Sequence, residues 1–276
     1  MSKETSLKDI AGTVVLVGAG KMGAAMLDGW VARGLDPAKV VVIEPQPSLQ
    51  VVRYGARGLK INPEGGAIQA AVVVIAIKPQ AAANAMPSLA RFISPATVAV
   101  SIMAGKTLKF LQDGLPPGTA IVRSMPNTPA AIGRGITVVV PNAQVTPAQR
   151  HAADLLLAAA GAVEWISDEA LMDAVTAVSG SGPAYVFLLA EALAKAGAAA
   201  GLPPDLAEKL ARVTVAGSGE LLHLSSDDAA TLRKNVTSPG GTTAAALEVL
   251  MGSDGLDPLM KKAIAAAAKR SRELGS

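Results

Sequence analysis

The chain has no cysteine, two histidines and few aromatic residues, which make up 3% of its 276 positions. Without cysteine, neither a disulfide framework nor a thiolate metal site can form. His151 and His223 stand in helical patterns, with no Glu-x-x-His pairing and no nearby carboxylate cluster, so both read as surface or packing residues and no metal site is expected. Runs of like charge are missing too. Lys plus Arg number 25 against 22 for Asp plus Glu, spread along the chain, which argues against the basic stripe of a nucleic-acid binder. No uninterrupted apolar run approaches the roughly eighteen residues of a membrane span, and the opening MSKETSLKDI carries charges where a signal peptide needs an apolar stretch. A soluble, cytoplasmic protein with no membrane partner is expected. No G-x-S-x-G elbow sits on a strand-turn-helix, since Gly180-Ser181-Gly182 falls between helices. With the usual catalytic hardware missing, a bound cofactor is expected to carry the hard step.

What is present changes character partway along. Half of the residues are hydrophobic, enough for two moderate cores. The runs TVVLVG (13–18), KVVVIE (39–44), AVVVIAIK (71–78), TVAVSIM (97–103) and TAIVRSM (119–125) are nearly all apolar instead of alternating. That is the mark of parallel strands covered on both faces. Helical patterns at 22–33 and 79–91 lie between them, so the expected class is α/β, with a Rossmann-like doubly wound sheet. A further strand pair at 135–140 and 162–166 flanks a helix starting at Thr146-Pro147, where Thr can cap and Pro fits the first turn.

After about Ser167 the β-branched runs cease, and helical stretches follow at 168–178, 183–200, 203–222, 227–236, 242–251 and 256–273. The expected division is a dinucleotide-binding domain over 1–166 and an all-α domain over 167–276. The stretch AYVFLLAEALAKAGAAAG is apolar on most faces, interrupted by Glu191 and Lys195. A domain of about 110 residues has few places to bury such a helix. A dimer with exchanged helices is the expected solution.

The first strand leads straight into Gly18-Ala19-Gly20-Lys21-Met22-Gly23, a complete G-x-G-x-x-G opening a helix. Gly18 permits the tight turn, Gly20 lets backbone approach a pyrophosphate, and Gly23 lets helix and strand pack closely. Glu44, at the end of the second strand, has the spacing of a carboxylate on the adenosine ribose; a solvated strand-end acid is the bland reading. Arg53 and Arg57 lie downstream and can still meet a phosphate, so cofactor preference stays open. Two more loops, Ala76-Ile77-Lys78-Pro79 and Ser101-Ile102-Met103-Ala104-Gly105, leave strands at their carboxyl ends, where ligands gather in open sheets. Ser124-Met125-Pro126-Asn127-Thr128-Pro129 either lines the same crevice or merely turns the chain.

In the helical half, KNVTSPGGTTAAALEVL packs Ser238, Pro239, Gly240, Gly241, Thr242 and Thr243 against a helix that needs one cap. Ser238 can cap, and Gly240, Gly241 and Thr242 leave N–H groups at the positive end of that helix, where a carboxylate fits. Thr242 and Thr243 add hydroxyls, and Asn235 lies nearby. A proline-stiffened cap is the alternative.

Taken together, GAGKMG, AIKPQ, RSMPNTP, DAVTAVSGSGPAY and LRKNVTSPGGTTAAAL, in this order, resemble the pyrroline-5-carboxylate reductase family over essentially the whole length. The resemblance implies a Rossmann-like domain and a helical domain that dimerises by interlocking helices, with larger rings of dimers in many members. It implies hydride transfer from NADPH or NADH to the imine carbon of pyrroline-5-carboxylate, giving proline. Under it Val17, Gly18, Ala19, Gly20, Lys21 and Met22 hold the pyrophosphate. Ala76, Ile77, Lys78 and Pro79, with Ile102, Met103 and Ala104, line the nucleotide and nicotinamide, and Asn235 contacts cofactor.

Glu169 matches an acidic position near the substrate, and Gly240, Gly241, Thr242 and Thr243 hold the substrate. Ser238 and Thr243 are the candidates for polarising or protonating the ring nitrogen, Thr243 first. Two departures bear on cofactor choice: Glu44 stands where many relatives carry a small polar residue, and Gly65 where some carry an asparagine. NADH is therefore expected to serve at least comparably. The rival readings are a related imine or β-hydroxyacid reductase, for which Lys195 is poorly placed, and a nucleotide-binding regulator without catalysis.

Overall fold

The computed structural model describes residues 7–66 and 68–275, so the charged start of MSKETSLKDI, residues 1–6, lies outside the described residues. The described chain falls into two compact units divided after Gly180, with the last residues from Ala268 returning to the first. The first unit contains eight strands: β1 Thr13–Val17, β2 Val40–Ile43, β3 Lys60–Ile61, β4 Ala70–Ile75, β5 Val98–Ser101, β6 Ala120–Met125, β7 Gly135–Pro141 and β8 Gly161–Trp165. They form one sheet in the order β3-β2-β1-β4-β5-β6-β7-β8. Its first-unit helices are α1 Lys21–Ala32, α2 Leu49–Gly55, α3 Ala82–Leu89, α4 Leu108–Gly114, α5 Pro147–Ala158 and α6 Met172–Val175.

The uniformly apolar strands are explained by burial on both faces. Val14, Leu16, Val42, Val74, Val100 and Val122 meet Met26, Leu27 and Trp30 of α1 and Ala153, Leu156 and Leu157 of α5. Val15, Val17, Val73, Ile75, Ala99 and Ile121 on the opposite face meet Met86 and Leu89 of α3 and Leu111 of α4. Each fully buried aliphatic side chain contributes about 1.5–3 kcal/mol.

The expected strand pair at 135–140 and 162–166 joins this same sheet. β7 runs antiparallel to β6, whereas β7 and β8 are parallel. The connection over 126–134 is too short for the crossover a parallel neighbour needs, while β7 and β8 are separated by the whole of α5. That helix starts as expected. The Thr146 hydroxyl accepts from Gln149 N at 3.3 Å, and Gln149 Oε1 accepts from Thr146 N at 2.9 Å, a reciprocal capping box.

The single helix expected over 168–178 is broken into a 3-10 turn at Glu169–Leu171, then α6, then a π-helical turn at Thr176–Gly180. The Asp168 carboxylate caps Ala170 N at 2.9 Å, and the Thr176 hydroxyl donates back to the Met172 carbonyl at 2.8 Å. Such back-bonding loosens the i to i−4 ladder just before Ser179 and Gly180.

The second unit contains α7 Gly182–Ala199, α8 Pro204–Leu224, α9 Ala229–Asn235, α10 Thr242–Leu250 and most of α11 Leu256–Gly275. Among the described residues of 181–267 only Ala207 and Ala211 are buried. Phe187 is 68% exposed and Leu188 62%. Helical residues 169–199 are long and apolar enough to cross a membrane by length and composition alone, although Glu191 and Lys195 interrupt the apolar run. A helix pair with two buried alanines has apolar faces that demand another surface.

Trp30 locks the first unit together. It is fully buried, and its indole Nε1 donates to the Leu156 carbonyl at 2.8 Å, tying α1 to α5. Trp30→Phe leaves that carbonyl without its partner and a gap beside it, and should lower the unfolding free energy by about 1–3 kcal/mol, read as a reduced urea midpoint at unchanged slope.

Candidate active site

The parallel ladder continues one residue beyond the strands. Gly18 N donates to the Ile43 carbonyl at 2.8 Å, Ala76 N to Val17 at 2.7 Å and Ile102 N to Ile75 at 3.0 Å. Glu44, Gly18 to Met22, Ala76 to Pro79 and Ile102 to Ala104 therefore leave β2, β1, β4 and β5 side by side, at the carboxyl edge of the sheet. Strand order reverses between β1 and β4, the position at which such sheets open a ligand crevice.

A dinucleotide fits this edge. Gly18 has φ +91°, and a Cβ there would lie 2.6 Å from the Ala76 carbonyl oxygen. A Cβ on Gly23 would lie 2.2 Å from the Gly18 carbonyl oxygen, whereas one on Gly20 would meet nothing within 4 Å. Loop and helix are thus packed to contact on the inner side and open at the helix end. The N-cap of α1 is Gly20, with no side-chain cap, which leaves first-turn N–H groups and the positive helix end for a pyrophosphate. Lys21, Lys78 and Ala104 are exposed at these loops, while Met103 is buried at 2% exposure and packs into the core. Met103 thus has only its backbone to offer a ligand.

Glu44 is held on both sides. Its Oε2 accepts from Ala19 N, inside the glycine loop, at 2.9 Å, and its Oε1 accepts from Gln46 N at 3.1 Å. Below it Tyr54 of α2 donates to Asp28 of α1 at 2.7 Å. Burial first, and the Asp28 carboxylate second, push the Tyr54 hydroxyl above its ordinary pKa. Arg57 lies over the Tyr54 ring, 5.6 Å from its centroid.

Glu169 is engaged within the first unit. Its Oε1 accepts from Arg123 Nη1 at 2.6 Å and from Leu108 N at 2.7 Å. Arg123 is 6% exposed, so one carboxylate oxygen bolts β6, the start of α4 and the segment after β8 together. Only the motif RSMPNTP hinted at Arg123, because 46 residues separate the partners. In that motif Asn127 Oδ1 accepts from Ile136 N at 3.0 Å, so the segment does turn the chain. The hydroxyls of Ser124 and Ser179 are buried with no hydrogen-bond partner among the described residues.

In the second unit, Ser238 does not cap α10. The N-cap is Gly241, without a side-chain cap, after Gly240 at φ +68°. Pro239 and Gly240 form a turn in which Gly241 N donates to the Ser238 carbonyl at 3.0 Å, so the helix starts only at Thr242 and the cap position falls to Gly241. By contrast α2, α4, α5 and α9 are capped by Ser48, Thr107, Thr146 and Asp228. The first-turn amides of α10 thus stay open, beside half-buried Thr243 and exposed Thr242, Ser238 and Asn235. Lys195 is exposed on α7 and paired with Glu191 at 2.6 Å. The hydrogen bond and then the charge of Lys195 hold the Glu191 carboxyl below its usual range, an ordinary i, i+4 surface pair.

Two family models match the chain: "Pyrroline-5-carboxylate reductase dimerisation" over residues 169–274, and "NADP oxidoreductase coenzyme F420-dependent" over 13–105. The chain is 39% identical to a pyrroline-5-carboxylate reductase of Pseudomonas aeruginosa, covering 95% of this chain and 96% of that one. With the enzyme of Synechocystis it shares 40% identity over 94% of this chain and 97% of the relative. A solved pyrroline-5-carboxylate reductase from Coxiella burnetii superposes with TM-score 0.89 at 32% identity, covering 97% and 100%. The Plasmodium falciparum pyrroline carboxylate reductase solved with NADP bound gives 0.80 at 27% identity, covering 98% and 99%.

Gly23→Ala tests the glycine loop. The added Cβ must push the Gly18 carbonyl away, which displaces the amides of the glycine loop. The dissociation constant for NADH, read by cofactor fluorescence, should rise at least tenfold, about 1.4 kcal/mol. An unchanged value would overturn the assignment of this loop.

Proposed function

The chain belongs to the pyrroline-5-carboxylate reductase family, and from that premise we propose how its residues share the reaction. The protein is an NAD(P)H-dependent reductase that converts 1-pyrroline-5-carboxylate to L-proline, the last step of proline biosynthesis, and it acts as a homodimer. The working division is 1–166 for the cofactor and 167–276 for dimerisation and substrate, and the cytoplasm is the compartment we propose.

NAD(P)H, when bound, supplies the hydride that reduces the imine carbon. The residues from Val17 to Met22 hold its pyrophosphate, and Glu44 accepts from the adenosine ribose. Ala76 to Pro79 and Ile102 to Ala104 line the nucleotide toward the nicotinamide, with Asn235 as a further contact. The Gly241 amide is spent on the Ser238 carbonyl, so Gly240 and Gly241 shape the turn while the first-turn amides of Thr242 and Thr243 take the substrate carboxylate, and the Thr243 hydroxyl holds the ring nitrogen. Ser238 is the second candidate for that nitrogen, and Glu169 stands near the substrate with Oε2, which takes no hydrogen bond among the described residues.

The glycine-capped start of α10 carries the assignment. A helix end without a side-chain cap keeps its partial positive charge and its donors for an anion. The ring nitrogen of a cyclic imine is readily protonated in water, so the site needs orientation and hydrogen bonding more than a strong acid. That fits a chain without a histidine in either set of candidate residues. Lys195, tied to Glu191 on an exposed face, weakens the β-hydroxyacid reading.

Thr243→Ala should lower kcat/KM for pyrroline-5-carboxylate by about tenfold to a hundredfold, the size of a lost donor to a reacting group, at unchanged NADH affinity. Thr243→Ser should recover most of it. An unaffected alanine variant would sink the residue assignment, and no turnover by the unmodified protein would sink the activity. With Glu44 at the ribose, kcat/KM for NADH should be at least comparable to that for NADPH, and a large excess for NADPH would refute the ribose contact.

A further inference from the structure

Among the described residues, Asn62 is the one non-glycine with a positive φ, +44°. A left-handed asparagine is tolerated where its side chain replaces missing backbone partners. Here those partners belong to Glu44. Asn62 Oδ1 accepts from Glu44 N at 2.9 Å, and Asn62 Nδ2 donates to the Glu44 carbonyl at 2.8 Å. Asn62 N donates to the Val42 carbonyl at 2.9 Å, which continues the ladder past β3. One side-chain amide therefore clamps both polar groups of the Glu44 backbone. The Glu44 carboxylate in turn is held by Ala19 N and Gln46 N.

We propose that Asn62 is a positioning residue that sets the choice between the two nicotinamide cofactors by fixing Glu44. The proposal rests on the ribose contact assigned to Glu44 above. A glutamate on a free strand end can rotate away from an incoming 2′-phosphate, so its repulsion is weak and its hydrogen bond to a ribose hydroxyl is intermittent. A glutamate clamped at its backbone and tied to the loop amide can do neither. It presents its remaining lone pairs to the ribose hydroxyls of NADH, and it holds a negative charge where the 2′-phosphate of NADPH must sit. The chain Asn62, Glu44, Ala19 also links the discriminating acid to the pyrophosphate loop, so one alignment serves both ends of the adenosine diphosphate.

The variant that isolates the clamp is Asn62→Gly, because glycine keeps the left-handed backbone and the bond to Val42 while removing only the two side-chain bonds. Because both bonds are exposed, losing the two together corresponds to about a fivefold change in affinity. The KM for NADH should rise about fivefold with kcat within twofold, the KM for NADPH should stay level or fall, and the melting temperature should hold. Asn62→Asp, which keeps the acceptor bond to Glu44 N, should give an intermediate ratio and serves as the test if the glycine variant does not fold. Glu44→Gln separates this inference from its premise. If Glu44→Gln shifts the NADH to NADPH ratio and the Asn62 variants leave it unchanged, or raise both KM values equally, Asn62 has no role in selection and the proposal is overturned. If Glu44→Gln shifts nothing, the ribose contact itself fails and the proposal falls with it.

Discussion

Three backbone hydrogen bonds beyond the strand ends govern the cofactor half of this protein. The bonds from Gly18, Ala76 and Ile102 to Ile43, Val17 and Ile75 carry the parallel ladder into what would otherwise be free loops. A parallel ladder fixes register along four strands at once, so Glu44, the glycine loop, the Lys78 loop and the Ile102 loop emerge at the same level. The ladder pairs Val17 with Ile43 and with Ile75, and Ile75 with Ser101, so the loops that follow start at one level. Site geometry and core packing are here one constraint seen from two sides.

Side-chain caps close four of the α-helix starts among the described residues. Ser48, Thr107, Thr146 and Asp228 neutralise the starts of α2, α4, α5 and α9. At α1 and α10 the N-caps are Gly20 and Gly241, which offer no side chain. Substituting a serine or aspartate would typically strengthen either helix by around 1 kcal/mol, so both helices forgo that local stability. Helices α3, α7 and α8 also begin without a side-chain cap; what sets α1 and α10 apart is that the cap residue is glycine.

Much of this was legible in the sequence, and the exceptions have physical causes. The long apolar runs gave the sheet because burial on both faces leaves an unbroken signature. β3 escaped notice because two residues, Lys60 and Ile61, carry no periodicity. The direction of β7 was hidden since composition does not encode polarity, only the length of the connection does. Residues 168–178 read as one helix because a π turn uses the same residue types as an α turn. SPGGTT was legible as a surplus of breakers, yet the cap itself fell to Gly241 and not Ser238, because Gly240 at positive φ bends the chain first. Arg123 and Asn62 lay outside the candidate set altogether. Their partners, Glu169 and Glu44, are 46 and 18 residues away, and pairing across such distances exists only in the folded chain.

The near-absence of burial in the second unit has a consequence for how the protein exists at all. With Ala207 and Ala211 as its only buried members among the described residues of 181–267, this unit gains little free energy by folding alone, and its apolar helices settle only against a second chain. Folding and association are then one equilibrium, so the resistance of the protein to heat rises with its own concentration. A newly made chain must find its twin before its carboxyl half is secure. The cell's rate of synthesis, through mass action, becomes part of what keeps this unit folded.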